Sequence, residues 1–168
     1  MVRGLILPDV IGALINILQT DPDVAALTGQ RVPAGQLPRV ASAMPEVPAT
    51  DPRHWHMPDY AILVRRAGGR GADPYTDIHY ARVDIRCFGP GATINVRRRT
   101  ADDLWRTMNP VLCPPPNQGI VMGWRAKRTM IQAIQQEAEP IPLQENGTDW
   151  PLVLCSYIVI YMGTRLAA

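Results

Sequence analysis

Proline is concentrated between residues 33 and 58, and this limits the structure that the segment can form. Six of the chain's 17 prolines lie there, and 17 in 168 residues is about twice the average usage. Because proline lacks a backbone N–H, it interrupts helices and is excluded from central strands. A loop of this length inside a compact domain is generally functional or disordered. We therefore interpret residues 33–58 as an arm or flap that becomes ordered against another surface.

The size and composition of the chain indicate one globular domain. Its 168 residues are 46% hydrophobic and 19% charged. A chain of this length can bury roughly 70% of its unfolded surface and needs neither disulfides nor metal to fold. We expect a single domain over residues 1–168. The net charge of +2 is too small to indicate a nucleic-acid-binding protein.

The N-terminus resembles a secretion signal only superficially. Its apolar run is interrupted by Pro8, Asp9 and Asn16, and no small-residue cleavage site follows. No apolar run in the sequence reaches the roughly 18 residues that a membrane-spanning helix needs. The three cysteines show no CxxC spacing, which favours buried free thiols and a reducing compartment. We expect a soluble chain that is not exported.

Apolar periodicity and capping residues predict two N-terminal helices. Between residues 9 and 20 the apolar side chains recur at the spacing of one helix face. Asp21 and Pro22 then have the features of a helix start, a capping carboxylate followed by proline at the first helical position. Gly29 ends this second, short helix.

Two strands are predicted in the middle of the chain. Residues 60–66 and 78–88 are rich in β-branched and aromatic side chains, and the glycines between them predict a hairpin with a flexible tip. Side chains alternate between the two faces of a strand. In the second strand the core face carries His79, Ala81, Val83, Ile85 and Cys87, and the other face carries Tyr80, Arg82, Asp84 and Arg86. We expect that other face to meet water or a neighbouring molecule.

The remaining segments complete an α+β pattern. Residues 93–109 form a second main helix that ends at Asn109-Pro110. Its predicted core stripe is Ile94, Ala101, Leu104, Trp105 and Met108. Residues 128–138 fit either a helix or a strand, and residues 150–162 form a long strand that is apolar on both faces. This order predicts a small, mainly antiparallel sheet of about four strands, with two main helices packed on one face and a long proline-rich loop.

The glycines at 89 and 91 precede the second main helix and raise the question of phosphate binding. The sequence there matches neither GxxxxGK[ST] nor GxGxxG, and Pro90 removes an amide that such a loop uses. We interpret residues 89–91 as a strand-to-helix corner. The three arginines at 97–99 spread over about 200° of the helix, so one of them lies near the core stripe and extends outward. A solvated helix face is favoured for them, and contact with an acidic neighbouring subunit or with nucleic acid is the alternative.

His54, His56 and Asp59 form the metal-like cluster of the sequence. Residues two apart in an extended segment can share a face, and a carboxylate could complete a metal site. The segment is nevertheless a proline-bound loop, and the one other histidine lies at position 79. We predict no metal and no cofactor, with Trp55 anchoring the loop by burying its ring.

Residues suited to nucleophilic catalysis do not form a recognisable pattern. The sequence has no GxSxG turn, and neither Ser42 nor Ser156 has a histidine nearby in sequence. Asp102 and Asp103 are adjacent on a helix, so their carboxylates diverge. We therefore predict no catalytic residues, and we do not expect an enzyme.

Five segments stand in an order that has a parallel in a known family. They are an amphipathic N-terminal helix, DPDVAALTGQRV at 21–32, a proline-rich loop before YAILVRRAGG at 60–69, ARVDIRCFG at 81–89 leading into a helix, and VLCSYIVIYMG at 153–163. This arrangement resembles the tail-terminator, or tail-completion, proteins of long-tailed bacteriophages. The longer proline-rich segment and Pro110 within the expected helix depart from that family's pattern.

The resemblance implies a mechanical role in a virion. Such proteins assemble as a ring, usually six-fold, on the last ring of tail-tube subunits, stop tube growth and present a surface to the head connector. The implied partners are copies of this chain, the tail-tube protein and a connector or neck protein, with no membrane and with DNA only passing through the lumen. The implied location is the tail or neck of a virion assembled in the host cytoplasm. A neck or head-completion protein is the alternative, followed by a nucleic-acid-binding or metal-binding domain.

The resemblance also suggests a surface for contact between subunits. A polar strand face suits a charge-complementary contact, and a merely solvated face is the other interpretation. The predicted interface residues are Arg65, Arg66, Tyr80, Arg82, Asp84, Arg86 and Trp55. The loop over residues 33–58 would clasp the adjacent subunit, since proline stiffening lowers the entropy lost on ordering.

Overall fold

The structure is a computed structural model and describes residues 8–29, 38–51, 53–57, 59–70, 78–114, 124–126, 129–146, 148 and 150–163. Its helices are α1 (Val10–Thr20), α2 (Pro22–Thr28) and α3 (Ile94–Leu112). Its strands are β1 (Val40–Ala41), β2 (Ala61–Arg70), β3 (Ile78–Phe88), β4 (Trp124–Ala126), β5 (Thr129–Gln136), β6 (Ile141–Gln144) and β7 (Pro151–Gly163). The predicted α+β class is therefore confirmed.

The sheet is larger and more mixed than the sequence predicts. Among the described residues, seven strands take part in the order β1-β2-β3-β7-β5-β4, with β6 also pairing to β7, so the expectation of about four strands is wrong. β1 runs parallel to β2, and the other pairs are antiparallel. The additional strands are short, and strands of two to four residues leave little periodicity in a sequence. The ambiguous segment at 128–138 forms a strand where the structure describes it, because β5 pairs along β7.

The two N-terminal helices begin within one residue of the predicted starts, and each is capped by an aspartate, of which only Asp21 was predicted as a cap. The Asp9 side chain accepts a hydrogen bond from the Gly12 amide at the start of α1. Asp21 accepts from the amides of Asp23 and Val24 at the start of α2, with Pro22 at the first helical position. Among the described residues, no single helix is long and apolar enough to cross a membrane; α1 and α2 satisfy that test only jointly, and they are bent by 86°.

Helix α3 extends beyond the predicted stop at Asn109-Pro110 and ends at Leu112. Pro110 lies in the last turn, where one missing N–H interrupts only the final part of the hydrogen-bond ladder. The burial of Met108 and Leu112 favours continuing the helix across it. The predicted core stripe is also corrected at its first residue: Ile94 is 40% exposed, because the buried contacts of α3 begin at Ala101 and the first turn lies at the corner.

The main core lies between the helices and one face of the sheet. α3 contacts β3 and β7 in the middle of the sheet, and α1 contacts both β1–β2 and β4–β5. Since these two strand pairs lie toward opposite edges, the sheet curls around α1. Of the five residues predicted for the inward face of β3, Ala81, Val83, Ile85 and Cys87 are buried. His79 is only half-buried, and its ring stacks on Tyr161. The expectation that the helices pack on one face is confirmed.

A second apolar cluster lies on the opposite face of the sheet, at one end. Its buried members are Ala61, Leu63, Phe88 and Leu152, and partly buried side chains that pack on them are Met44, Trp55, Met57, Trp150 and Leu154. Residues 44–57 of the proline-rich segment therefore cover part of their own sheet where the structure describes them. We call this part the flap. The remaining parts of the prediction, at 33–37, 52 and 58, and the hairpin tip at 71–77 lie outside the described residues.

Candidate subunit interface

The predicted interface residues of β3 share one face of the sheet, opposite the helices. We call this the outer face. The β3 residues on it are Tyr80, Arg82, Asp84 and Arg86, and their partners on β7 are Ile160, Ile158, Ser156 and Leu154. In the part of the chain that the structure describes, the flap covers only the end of this face near Phe88. Beyond that end, these outward side chains are half-buried or exposed among the described residues, except for the buried Ser156.

The charges in the middle of the outer face are paired within the chain. The Arg86 guanidinium lies 2.9 Å from both carboxylate oxygens of Glu145. The Ser156 hydroxyl donates a 2.6 Å hydrogen bond to Asp84 Oδ1 across the β3–β7 pair. These contacts hold Asp84 and Arg86 in fixed positions, so they form part of a preorganised polar surface.

A third pair lies nearer the hairpin. Arg82 Nε is 2.9 Å from Glu137 Oε2, with the two side chains 50% and 36% exposed. Arg65 is aligned with Asp84 and therefore lies on the same face, exposed. The face thus carries arginines at 65, 82 and 86 against acids at 84, 137 and 145. This balance of charge favours a protein partner over the uniformly negative backbone of nucleic acid.

Apolar side chains surround the paired charges. Tyr80 is 39% exposed, and Ile158 and Ile160 beside it are half-buried. On β6, Ile141 and Leu143 are 48% and 43% exposed. Both align with outward residues of β7, so they continue the outer face. Exposed aromatic residues and arginines, such as Tyr80 and Arg82 here, are enriched at contacts between proteins.

Two of the predicted interface residues lie elsewhere. Arg66 aligns with Val83, whose side chain is in the core, so Arg66 points to the other face, although it is exposed where β2 projects. Trp55 is half-buried in the flap and packs on the second apolar cluster. Its predicted role as the anchor of the loop agrees with this position. Five of the seven residues therefore share the outer face.

Two of the three acidic residues of this surface, Glu137 and Glu145, were not predicted from the sequence. Glu137 and Glu145 meet their arginines only because β5 and β6 pair with the edge of β7 that β3 leaves open. The one local signal is the alternation of Ile141 and Leu143 with Pro142 and Gln144, which is compatible with a short edge strand.

The corner at residues 89–91 is built by close approach of the chain to α3. A Cβ atom at Gly89 would overlap Thr100 Oγ1 and lie 2.5 Å from the Ala101 amide nitrogen. Thr100 Oγ1 donates to the Pro90 carbonyl at 2.7 Å. Arg97 Nε donates to the Gly91 carbonyl at 2.8 Å. Residues 89–91 are therefore a strand-to-helix corner, and the corner binds its own helix.

As predicted, the three arginines of α3 differ in their exposure to solvent. Arg97 is half-buried and folds back on the corner, whereas Arg98 and Arg99 are exposed. Neither Arg98 nor Arg99 has an ion-pair partner among the described residues. They remain available for a contact with solvent or with another molecule.

The histidine cluster has other contacts. His54 Nδ1 lies 3.0 Å from the Val47 carbonyl, and the rings of His54 and His56 meet edge to face at 5.1 Å. Asp59 is buried and pairs with Arg39 at 3.4 Å. Within the described ranges, no three His, Cys, Asp or Glu side chains are grouped in a way that could hold a metal ion.

The cysteines lie in apolar surroundings. Cys87 and Cys155 are buried, Cys113 is half-buried, and all three are free thiols. Burial raises the pKa of each thiol, most strongly for Cys87. A raised pKa keeps the thiol protonated and therefore unreactive as a nucleophile.

Comparison with known proteins gives a fold relationship. No protein-family model matches the chain, and no curated protein matches it in sequence. A chain in the solved structure described as "Virion of native gene transfer agent (GTA) particle" matches with a TM-score of 0.57 and 14% sequence identity. The match covers 92% of this chain and 95% of that chain. The two chains share a fold over almost their whole length.

Proposed function

We propose that this chain is a structural protein of a phage-like virion. The observation that carries the proposal is the fold shared, over 92% of the chain, with a component of a gene transfer agent virion. The open outer face agrees with it, because a subunit of an assembly needs a surface that is completed by another molecule. On this proposal the chain has no enzymatic activity, needs no cofactor and resides in the particle.

The specific role we propose is that of a tail terminator. Copies of the chain form a ring, six-fold in the family that the sequence resembles, on the last ring of the tail tube. The ring ends tube polymerisation and provides the joint to the head connector. The outer face supplies a preorganised surface for the contact between subunits, with the Arg82–Glu137 and Arg86–Glu145 pairs already fixed. Rigid, prepaired charges lower the entropy lost on assembly.

The proposed role is tested by measuring whether this chain stops the growth of tail tubes. The purified chain is added to tail-tube protein from the same particle during polymerisation, and tube lengths are measured by electron microscopy. If the chain is a tail terminator, we expect shorter tubes of uniform length with extra density at one end. Tubes that grow unchanged and carry no added density would refute it. A neck protein would instead bind the connector and leave tube length unaffected.

A matched pair of variants tests the outer face. Tyr80→Glu places a charge on the outer face, and Ile94→Glu places one on the first turn of α3; the two side chains are 39% and 40% exposed. We expect Tyr80→Glu to abolish tube arrest and Ile94→Glu to preserve it. Equal loss in both variants would argue against the outer face as the contact.

A further inference from the structure

A groove of about 630 Å³ lies between α2 and α3, away from the outer face. It is lined by Ala26, Leu27, Pro110 and Val111 and, at the charged and polar positions, by Asp21, Asp23, Arg106 and Thr107. Its volume lies within the range of pockets that enclose several groups of a ligand. A groove lined by both apolar and charged side chains is suited to binding a segment of another protein that carries both kinds of side chain.

The described residues that line this groove carry a net negative charge. Asp23 is exposed, and its carboxylate has no hydrogen-bond or ion-pair partner among the described residues. The Asp21 carboxylate accepts two amide hydrogen bonds, which leave its negative charge in place. Among the described residues that line the groove, the one cation is Arg106, which is paired with Asp102 at 2.7 Å. Among the described residues, negative charge therefore remains beside the apolar lining residues.

The end of β2 at residues 65–69, together with residues 81–84 of β3 that pair with it, carries the opposite charge. We call these described residues the hairpin arm. Residues 65–69 are exposed in succession, so this end of β2 projects from the body of the sheet. Arg65 has no ion-pair partner among the described residues, and Arg66 donates only to the nearby Gly68 carbonyl at 3.3 Å. Gly68 and Gly69 have φ of 149° and 143°, a conformation that a side chain would strain, and the register shifts at this point. In its described residues the hairpin arm thus has a net positive charge, projects from the sheet and has its own bend.

We propose that the hairpin arm of one copy, through Arg65 and Arg66, docks in the α2–α3 groove of the next copy. The charges of the two surfaces are complementary, and an arginine stem can pack on the apolar floor while its guanidinium meets Asp23. Within the proposed ring, each copy offers its groove to one neighbour and its hairpin arm to the other, so the contact is heterologous. A heterologous contact between identical chains forms a ring when its rotation closes. This inference rests on the proposed assembly function and specifies its contact.

Reciprocal charge exchange tests the contact. Asp23→Arg and Arg65→Glu are each expected to raise the dissociation constant for self-association at least ~10-fold, because each places like charges together. Combining both changes in one chain, or mixing the two single variants, restores association. Glu46→Arg and Arg99→Glu are the controls, since they make the same charge changes at exposed sites outside the groove and the hairpin arm. Sedimentation velocity at low and high salt measures association, and thermal melting by circular dichroism verifies folding.

The hairpin–groove contact and the proposed function can be refuted independently of each other. Wild-type association that neither single variant weakens, or that the controls weaken equally, overturns the hairpin–groove contact. A folded wild type that remains monomeric at high concentration also overturns it. The tail-terminator role is decided independently by the tube-length experiment, and tube arrest by a chain with an insensitive groove would leave that role standing.

Discussion

The Arg39 guanidinium lies 3.4 Å from the Asp59 carboxylate, and both side chains are only 4% exposed. Arg39 directly precedes β1 and Asp59 lies just before β2, so this buried pair joins the two ends of the proline-rich segment. Arg39 also donates to the Thr28 carbonyl at 3.4 Å, and the Tyr60 amide donates to Asp59 at 2.8 Å. The flap is thereby fastened to α2 and to the sheet.

The first prediction concerns this pair. Asp59→Ala removes one charge of a buried pair, so we expect the free energy of unfolding to fall by about 3–5 kcal/mol. Urea denaturation measures the change. Asp51→Ala is the control, because Asp51 pairs with Arg53 at the surface of the flap, where the arginine is 70% exposed. Equal effects of the two substitutions would contradict the assigned role of Asp59.

The second prediction concerns the anchor of the flap. Trp55 packs on the second apolar cluster, and its loss uncovers Leu63 and Phe88. We expect Trp55→Ala to lower the free energy of unfolding by about 2 kcal/mol, since the ring is only half-buried. Trypsin should also cleave faster after Arg53, within the flap. Tyr80→Ala, at an exposed aromatic residue beyond the flap, should leave the rate of that cleavage unchanged.

Part of this fold can be predicted from local sequence. The contacts that depend on pairing between residues far apart in the sequence cannot. Asp21 caps the helix that begins one residue later, so the sequence alone indicates where α2 starts. Glu145, in contrast, meets Arg86 across 59 residues of sequence, and only the register of β6 on β7 brings them together. The alternation along β3 identified the outer face correctly. Its acidic partners depended on strands too short to recognise.

The third prediction concerns Pro110, which the sequence indicates as a helix stop and which the structure places inside α3. Pro110→Ala restores an amide to the last turn, so we expect the free energy of unfolding to rise by about 1–2 kcal/mol. Pro22→Ala is the matched control. Because Pro22 occupies the first position of α2, where proline is favoured, its replacement should give no gain. A stability change of equal sign and size in both variants would contradict this explanation.

The fourth prediction is a loss of stability in alkali. Burial raises the pKa of the Cys87 thiol, and burial likewise raises the pKa of the Tyr157 hydroxyl, which donates to Asn109 Oδ1 at 2.8 Å. The folded chain therefore keeps these protons at a pH where the unfolded chain releases them, above about 8.5 for cysteine and about 10 for tyrosine. Since the folded state then binds more protons, the free energy of unfolding decreases as pH rises through this range. Urea denaturation between neutral pH and about pH 10.5 measures the slope. Cys87→Ala should make it shallower above about pH 8.5, and an unchanged slope would show that the Cys87 proton makes no contribution.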